Sequence, residues 1–275
     1  SIDSLIFICD LLMKFVSVEK KKKNIAFVTF DRGNSRNLLN LEVIRQLTKT
    51  AEYLNEEKDL LAIILLGRTD NFCFGFDLDD QEFKEVRSKN LNEQRTTLAA
   101  GSKMCTAWEN LSPLTISAID GWCVGGGLAL AVSTDLRIVS SNATMYFPEV
   151  ERALNMSWGA IPRITNLVGP AKAKQLIVLA RKTSSKKALK WGLVDEIASE
   201  SNVKEHSIKL ANIAASMPPL ALKMCKQSIN SYANALAGVS CNQDLDQFLL
   251  TFRSKDFEKS LVSLKQKIPA KFSGN

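Results

Sequence analysis

The sequence Thr115-Ile-Ser-Ala-Ile-Asp-Gly-Trp-Cys-Val-Gly-Gly-Gly-Leu-Ala-Leu130 joins an apolar run to three successive glycines and a second apolar segment. Residues 115–119 carry only apolar or small side chains, which is typical of a strand buried on both faces. Residues 128–133 then favour a short helix, and residues 136–139 favour another strand. Glycines at a helix start leave backbone N–H groups uncovered and let a ligand approach the main chain. This stretch therefore predicts a βαβ unit with a binding loop.

The same order of strand and loop occurs earlier in the chain. Residues 60–66 (LLAIILL) form another continuous apolar run, and the loop 67–78 (GRTDNFCFGFDL) follows it directly. Apolar residues at helical spacing follow Asn40, an N-cap residue type, and residues 91–111 also favour a helix. Strands that alternate with helices predict a parallel sheet, which brings both loops to one edge of that sheet.

The two ends of the chain differ in character. Residues 15–19 and 25–30 are β-like runs that predict a hairpin. Residues 5–16 are apolar but too short to span a bilayer, so we treat residues 1–13 as an accessory helix or strand. From about residue 159 the pattern is nearly all helical. We therefore predict an α/β core over residues 1–200 and a helical C-terminal region over residues 201–275.

Composition excludes several classes of function. The net charge of +7 is scattered apart from residues 20–23 (KKKK), which favours a solvated turn over a nucleic-acid surface. A basic excess suits a phosphorylated ligand or an acidic carrier protein. The six cysteines lie singly, and the sole histidine, His206, has no partner at metal-ligand spacing. We expect no metal site, no disulfide framework and no membrane partner, and the thiols favour a cytoplasmic location.

The two loops, taken in this order, resemble the paired signature of the enoyl-CoA hydratase/isomerase (crotonase) family. Residues 71–78 resemble its FxxGxDL segment, and residues 119–130 with 135–138 resemble its NGxxxGGGxxLxxxxDxRI segment. Further resemblances occur at residues 37–40, 147–149, 167–169, 188–195 and 271–274. The resemblance covers residues 14–274. It implies an α/β fold with a crotonase-like ββα spiral core, parallel sheet strands and C-terminal helices that assemble a homotrimer or a homohexamer.

The resemblance also implies a site for an acyl thioester. The backbone N–H groups of Phe76 and Gly126 would form an oxyanion hole for a thioester enolate. One such donor typically contributes about 3 kcal/mol to transition-state stabilisation. The remaining implied substrate-binding residues are Asp77, Leu78 and Asp79 beside Phe76 on the pantetheine channel, Gly125 beside Gly126, and Arg32 and Arg36 near the CoA nucleotide. Coenzyme A would enter as part of the substrate, with no other cofactor.

The choice of reaction depends on carboxylates. Family hydratases hold one water between two glutamates, and the corresponding positions here are Ala129 and Glu149. Glu149 otherwise reads as a surface or helix-start carboxylate. A single glutamate suits Δ3–Δ2-enoyl-CoA isomerisation or hydratase-like chemistry with one acid/base group. Some relatives carry their acid at the position of Ser157, within a segment that departs from the family's usual sequence.

Two alternatives remain open. Residues 31–40 and 70–75 resemble crotonase enzymes of polyketide β-branching cassettes, which act as dehydratases or decarboxylases on acyl groups of carrier proteins. Lys84 matches the lysine of the decarboxylases, but His206 does not match their C-terminal histidine. Alternatively, Ala129 favours a protein that binds acyl thioesters without chemistry.

Overall fold

The computed structural model describes residues 8–21, 24–199 and 202–275. The strands are β1 (Ile8–Leu12), β2 (Val16–Lys21), β3 (Ile25–Phe30), β4 (Ala62–Leu66), β5 (Leu114–Ile119), β6 (Trp122–Val124), β7 (Leu136–Ser140), β8 (Thr144–Tyr146), β9 (Thr183–Ser184) and β10 (Glu196–Ala198). The helices are α1 (Leu41–Asn55), α2 (Gln81–Val86), α3 (Leu91–Leu98), α4 (Ala100–Glu109), α5 (Gly126–Ala131), α6 (Ala160–Val168), α7 (Pro170–Ile177), α8 (Ser185–Trp191), α9 (Val203–Ala215), α10 (Pro219–Ala233), α11 (Ala237–Phe252) and α12 (Lys255–Gln266). A short 3-10 helix spans Val150–Arg152.

The main sheet has seven strands in the order β1-β2-β3-β4-β5-β7-β10. Strands β1, β2 and β3 pair antiparallel, whereas the pairs from β3 to β10 are parallel. The predicted hairpin is confirmed, with Val18 opposite Val28. Lys22 and Lys23 of its turn lie outside the described residues. Strand β1 falls within the predicted accessory segment, of which residues 1–7 are not described.

The continuous apolar run at residues 60–66 is explained by helices on both faces of the sheet. Successive side chains of a strand point to opposite faces. Ile63 and Leu65 accordingly pack in the cluster beneath α1 and α4, whereas Ala62 and Ile64 pack in the cluster beneath α9. Both faces of β4 are therefore buried, as predicted.

Two helices differ from their predicted bounds. The predicted helix over residues 91–111 is interrupted at Ala99, just before Gly101, a weak helix former. Helix α5 begins at Gly126, two residues earlier than predicted, so the second and third glycines of the triplet lie inside it. The hydroxyl of Ser133 bonds to the carbonyl of Ala129 just beyond its end.

The C-terminal helices contact both the sheet and the loops above it. Helix α9 packs on β4 and β5, while α11 contacts α3 and α6, and α12 contacts the 3-10 helix. The division at residue 200 stays a prediction, and residues 200 and 201 lie outside the described chain. None of the helices that the structure describes is long and apolar enough to cross a membrane.

Candidate active site

The two predicted loops meet at the carboxyl ends of β4 and β5. The N–H of Cys73 donates to the carbonyl of Trp122 at 3.0 Å, and the N–H of Val124 donates to the carbonyl of Cys73 at 2.8 Å. Gly75 has a φ of +94°, and a Cβ there would lie 3.0 Å from the Val124 carbonyl oxygen and 3.6 Å from the Gly126 nitrogen. Glycine therefore allows the first loop to lie directly against the glycine triplet.

Two backbone N–H groups have no hydrogen-bond acceptor where these loops meet, within the part of the chain that the structure describes. The N–H of Asp77 donates to Leu39 and that of Gly125 donates to Tyr146, both at 2.8 Å. Within the described residues, the N–H groups of their chain neighbours Phe76 and Gly126 donate to no protein acceptor. Because buried backbone groups are nearly always paired, two neighbouring free donors indicate a site for an external acceptor.

A cavity of about 630 Å³ opens over these donors. It brings together eight predicted site residues: Arg36, Phe76, Asp77, Leu78, Asp79, Gly125, Gly126 and Glu149. Arg32 lies outside this lining. Its Nη1 atom donates instead to Asp77 Oδ2 at 2.7 Å and to the Leu38 carbonyl at 3.3 Å. Arg32 therefore positions a wall residue of the cavity.

Glu149 places its carboxylate beside the glycine triplet. It follows β8 and begins the 3-10 helix, with its Oε1 atom 2.7 Å from the position of a Cβ built on Gly125. Its Oε2 atom is buried and has no hydrogen-bond partner among the described groups. Burial raises the pKa of Glu149 to about 7, against an opposing effect of the Arg152 guanidinium. Near neutral pH this carboxyl can therefore both accept and donate a proton.

The other acids of the cavity are already paired. Asp77 accepts the Arg32 hydrogen bond, and Asp79 lies 2.9 Å from the Nζ atom of Lys84. Ala129, at the position of the second hydratase glutamate, is fully buried. In the part of the chain described, Glu149 is thus the only carboxylate lining this cavity that forms no ion pair, and its Oε2 atom has no hydrogen-bond partner.

Several lining residues were not predicted from the sequence. They are the apolar Leu98, Leu154, Met156, Trp158 and Phe248, and the cationic Arg152, Lys182 and Lys265. The ammonium of Lys182 lies 5.8 Å from the Trp122 ring centroid and 5.3 Å from that of Tyr146. The one available signal was the departure of residues 153–157 from the family sequence, immediately before Trp158.

The remaining candidates have ordinary environments. Lys84 pairs with Asp79 and lines a smaller neighbouring cavity. His206 contacts Glu196 at the far end of the sheet. Ser157 is buried but does line the main cavity. No cluster of three or more His, Cys, Asp or Glu side chains suited to a metal ion occurs in residues 8–21, 24–199 or 202–275.

Comparison with known proteins places the chain in a family. The family model described as enoyl-CoA hydratase/isomerase matches residues 20–275. The short-chain-enoyl-CoA hydratase of Clostridium acetobutylicum is 32% identical, with 92% of this chain and 91% of that protein covered. The probable mitochondrial enoyl-CoA hydratase 2 of Arabidopsis thaliana is 30% identical, with 90% and 81% covered.

Solved structures agree in fold. An enoyl-CoA hydratase from Mycobacterium avium subsp. paratuberculosis superposes with a TM-score of 0.83 at 19% identity, covering 95% of this chain and all of that one. The enoyl-CoA hydratase from Bacillus anthracis gives a TM-score of 0.74 at 26% identity, with the same coverage. The predicted α/β crotonase fold is confirmed. This protein is a member of the enoyl-CoA hydratase/isomerase family.

Proposed function

We propose that the protein catalyses proton transfer on an acyl-CoA thioester, most simply Δ3–Δ2-enoyl-CoA isomerisation, with Glu149 as its single acid/base. The observation that carries this proposal is the buried Glu149 carboxylate, whose Oε2 atom has no hydrogen-bond partner, in one cavity with two free backbone donors. An enolate requires donors at its oxygen and a base at the adjacent carbon, and these groups would supply both.

The donors act on the thioester carbonyl. Its oxygen would accept hydrogen bonds from the N–H groups of Phe76 and Gly126, which have no competing protein acceptor within the described chain. These bonds strengthen as negative charge develops on the oxygen, so they stabilise the enolate more than the ground state. Loss of one such donor typically costs about 3 kcal/mol of transition-state stabilisation.

Glu149 would move the proton. As a carboxylate it takes a proton from C2 of a 3-enoyl thioester; the C–H electron pair then forms a C1=C2 bond, the carbonyl π electrons move onto the oxygen, and the resulting dienolate is conjugated with the C3=C4 double bond. As a carboxylic acid it returns a proton to C4, and the double bond then lies between C2 and C3. A pKa of about 7 suits both steps, since neither protonation state is then scarce.

Hydration is the second candidate. The hydratase names of the relatives favour it, and they also favour an acyl-CoA substrate. However, a second carboxylate to orient the water is replaced by Ala129, and Asp77 and Asp79 are engaged by Arg32 and Lys84. We therefore rank hydration by Glu149 alone below isomerisation.

The substrate proposal is acyl-CoA with no other cofactor. Arg36, Lys182 and Lys265 line the cavity and would attract the phosphates of the coenzyme. Carrier-protein chemistry of the decarboxylase type receives less support, because Lys84 is absent from the main cavity lining and its ammonium is paired with Asp79. A cytoplasmic location also stays a proposal, supported by the unpaired thiols of Cys73, Cys105 and Cys123.

We further propose a homotrimer or a dimer of trimers. Large apolar side chains are exposed on and after α10, including Leu220 at 72%, Tyr232 at 88%, Leu236 at 79% and Val239 at 74%. A patch of this kind marks an interface more often than a free surface. Light scattering after size exclusion would test this, and a monomer at micromolar concentration would contradict it.

The deciding experiment incubates 3-enoyl- and 2-enoyl-CoA esters with the protein in D₂O and follows the products by mass spectrometry. We expect double-bond migration with deuterium entry, lost in Glu149→Gln and retained in the control Glu196→Gln, which lies away from the cavity. Water addition that depends on Glu149 would favour the hydratase candidate. Binding of the esters without any turnover would overturn both in favour of a non-catalytic thioester-binding protein.

A further inference from the structure

The indole of Trp158 lies in a slot between two glycines. A Cβ built on Gly101 would lie 1.9 Å from Trp158 Cε2, and one on Gly126 would lie 2.5 Å from Trp158 Cζ3. Both distances are far below van der Waals contact. Gly101 on α4 and Gly126 on α5 therefore leave space that a side chain would fill, and the indole packs there against the backbones of both helices.

The backbone beneath the indole is held in a strained conformation. Trp158 and Gly159 have φ values of +61° and +66°. The Gly159 N–H donates to Asp244 Oδ2, and Arg163 Nη1 donates to the Trp158 carbonyl, both at 2.8 Å. Arg163 is fixed in turn by two hydrogen bonds of 2.8 Å to the carboxylate of Glu109. A non-glycine residue keeps a positive φ only where its surroundings enforce it, so this network sets the position of the ring.

The exposed side of the indole forms part of the main cavity. The ring stands edge-on to that of Phe76, with centroids 6.2 Å apart and planes at 89°. Phe76 and Gly126 supply the two proposed carbonyl donors, and the indole contacts both residues. It therefore lies beside the point at which an acyl group would leave the thioester carbonyl, among the apolar side chains of Leu98 and Met156.

We infer that Trp158 determines acyl-chain length, closing the apolar pocket so that short acyl groups fit and long ones do not. This inference rests on the proposed acyl-CoA function. A longer chain would have to displace a ring that is wedged between two helices, while Arg163 holds the Trp158 carbonyl and Asp244 holds the N–H of Gly159. In an unobstructed apolar pocket, each added methylene strengthens binding about fourfold.

The test measures binding of saturated butanoyl-, hexanoyl-, decanoyl- and hexadecanoyl-CoA by calorimetry, so that no turnover by Glu149 is needed. For the wild type we expect affinity to rise between the shorter esters and then to stop rising or to fall. Trp158→Gly removes the indole and relieves the positive φ. It should extend the rise to decanoyl-CoA, so that the ratio of decanoyl- to butanoyl-CoA affinity increases by about fourfold per methylene beyond the wild-type limit.

Trp191→Phe is the control, because Trp191 lies outside the cavity lining, and it should keep the wild-type profile. A wild-type affinity that rises steadily from butanoyl- to hexadecanoyl-CoA would overturn the inference. So would a Trp158→Gly substitution that changes the affinity by the same factor at every chain length. If Trp158→Gly does not fold, the inference is tested by the chain-length profile of the wild type and by that of the smaller change Trp158→Phe. Failure of the wild type to bind any ester would instead overturn the proposed function, and the inference with it.

Discussion

The Oε1 atom of Glu149 lies 2.7 Å from the place that a Cβ on Gly125 would occupy. The carboxylate thus uses the space left by the missing side chain, next to the Gly126 N–H. Gly125 also has a φ of +51° and a ψ of −120°, which is unfavourable for a residue with a Cβ. The first glycine of the triplet consequently positions the proposed acid/base group, while the second carries one of the two proposed donors.

Gly125→Ala should therefore lower kcat by about a hundredfold, since displacement of a catalytic group by about 1 Å has an effect of this size. The added methyl group would push the Glu149 carboxylate away from the substrate. Gly169→Ala is the matched control, because Gly169 has a φ of +75° with nothing within 4 Å of the built Cβ. Both variants should lose similar stability, but only Gly125→Ala should lose turnover. Equal activities would show that the carboxylate tolerates the methyl group.

The pH dependence of kcat/KM should report Glu149. Because burial raises the pKa of Glu149 to about 7, the rate with 3-enoyl-CoA should rise about tenfold per pH unit below 6 and level off above 8. The Arg152 cation favours the carboxylate and so lowers this pKa. Arg152→Met should therefore move the midpoint to higher pH.

Lys190→Met, a change of an exposed residue on α8, should leave that midpoint in place. A midpoint near the ordinary pKa of a glutamate in the wild type would show that the carboxyl is hydrated in solution. An unchanged midpoint in Arg152→Met would show that its guanidinium does not act on Glu149.

The components of this site differ in how visible they are in the sequence. Phe76, Gly126 and Glu149 follow from the resemblance to the family, because each lies within a short contiguous motif. The isolation of Glu149 was not predictable, since it depends on Arg32 and Lys84 engaging the other two acids. Their ion pairs are set by tertiary geometry and leave no periodic pattern.

The position of Trp158 in the cavity wall was also not predictable from the sequence. The position of Trp158, in the turn before α6, requires Gly101, which lies on α4 and far away in sequence. No spacing rule connects a tryptophan to a distant glycine that it packs against. The fold, in contrast, was predictable from runs of apolar residues, because β4 and β5 are buried on both faces.

Glu149 should reduce the stability of the folded chain at alkaline pH. A carboxyl with a raised pKa contributes stability that is present below its unfolded pKa and lost as pH rises through the folded pKa, here from about 4.5 to about 7. Glu149→Gln removes this titration. At pH 8 its free energy of unfolding should exceed that of the wild type by roughly 2–3 kcal/mol, whereas at pH 4 the two should agree. Urea denaturation at both pH values measures this, and an equal difference at each would exclude titration as the cause.

Asp256 connects the final residues of the chain to α12. Its carboxylate accepts hydrogen bonds from the N–H groups of Ser273 and Gly274, at 2.9 and 2.7 Å, and from Lys259 Nζ at 2.9 Å. These donors lower the pKa of Asp256 to about 2, with the Lys259 ammonium contributing most. Stability from a depressed pKa is present above the unfolded value and lost as pH falls through the folded one.

Residues 271–275 should therefore stay packed against α12 at pH 4 and detach from it as the pH falls toward 2. Asp256→Ala should detach it at pH 7, because two backbone donors and an ammonium then lose their common acceptor. Hydrogen exchange at residues 271–275 measures this directly. Asp246→Ala, which removes an exposed partner of Arg95, serves as the control and should leave exchange there unchanged. Slow exchange retained in Asp256→Ala would mean that apolar packing, and not this carboxylate, holds the segment.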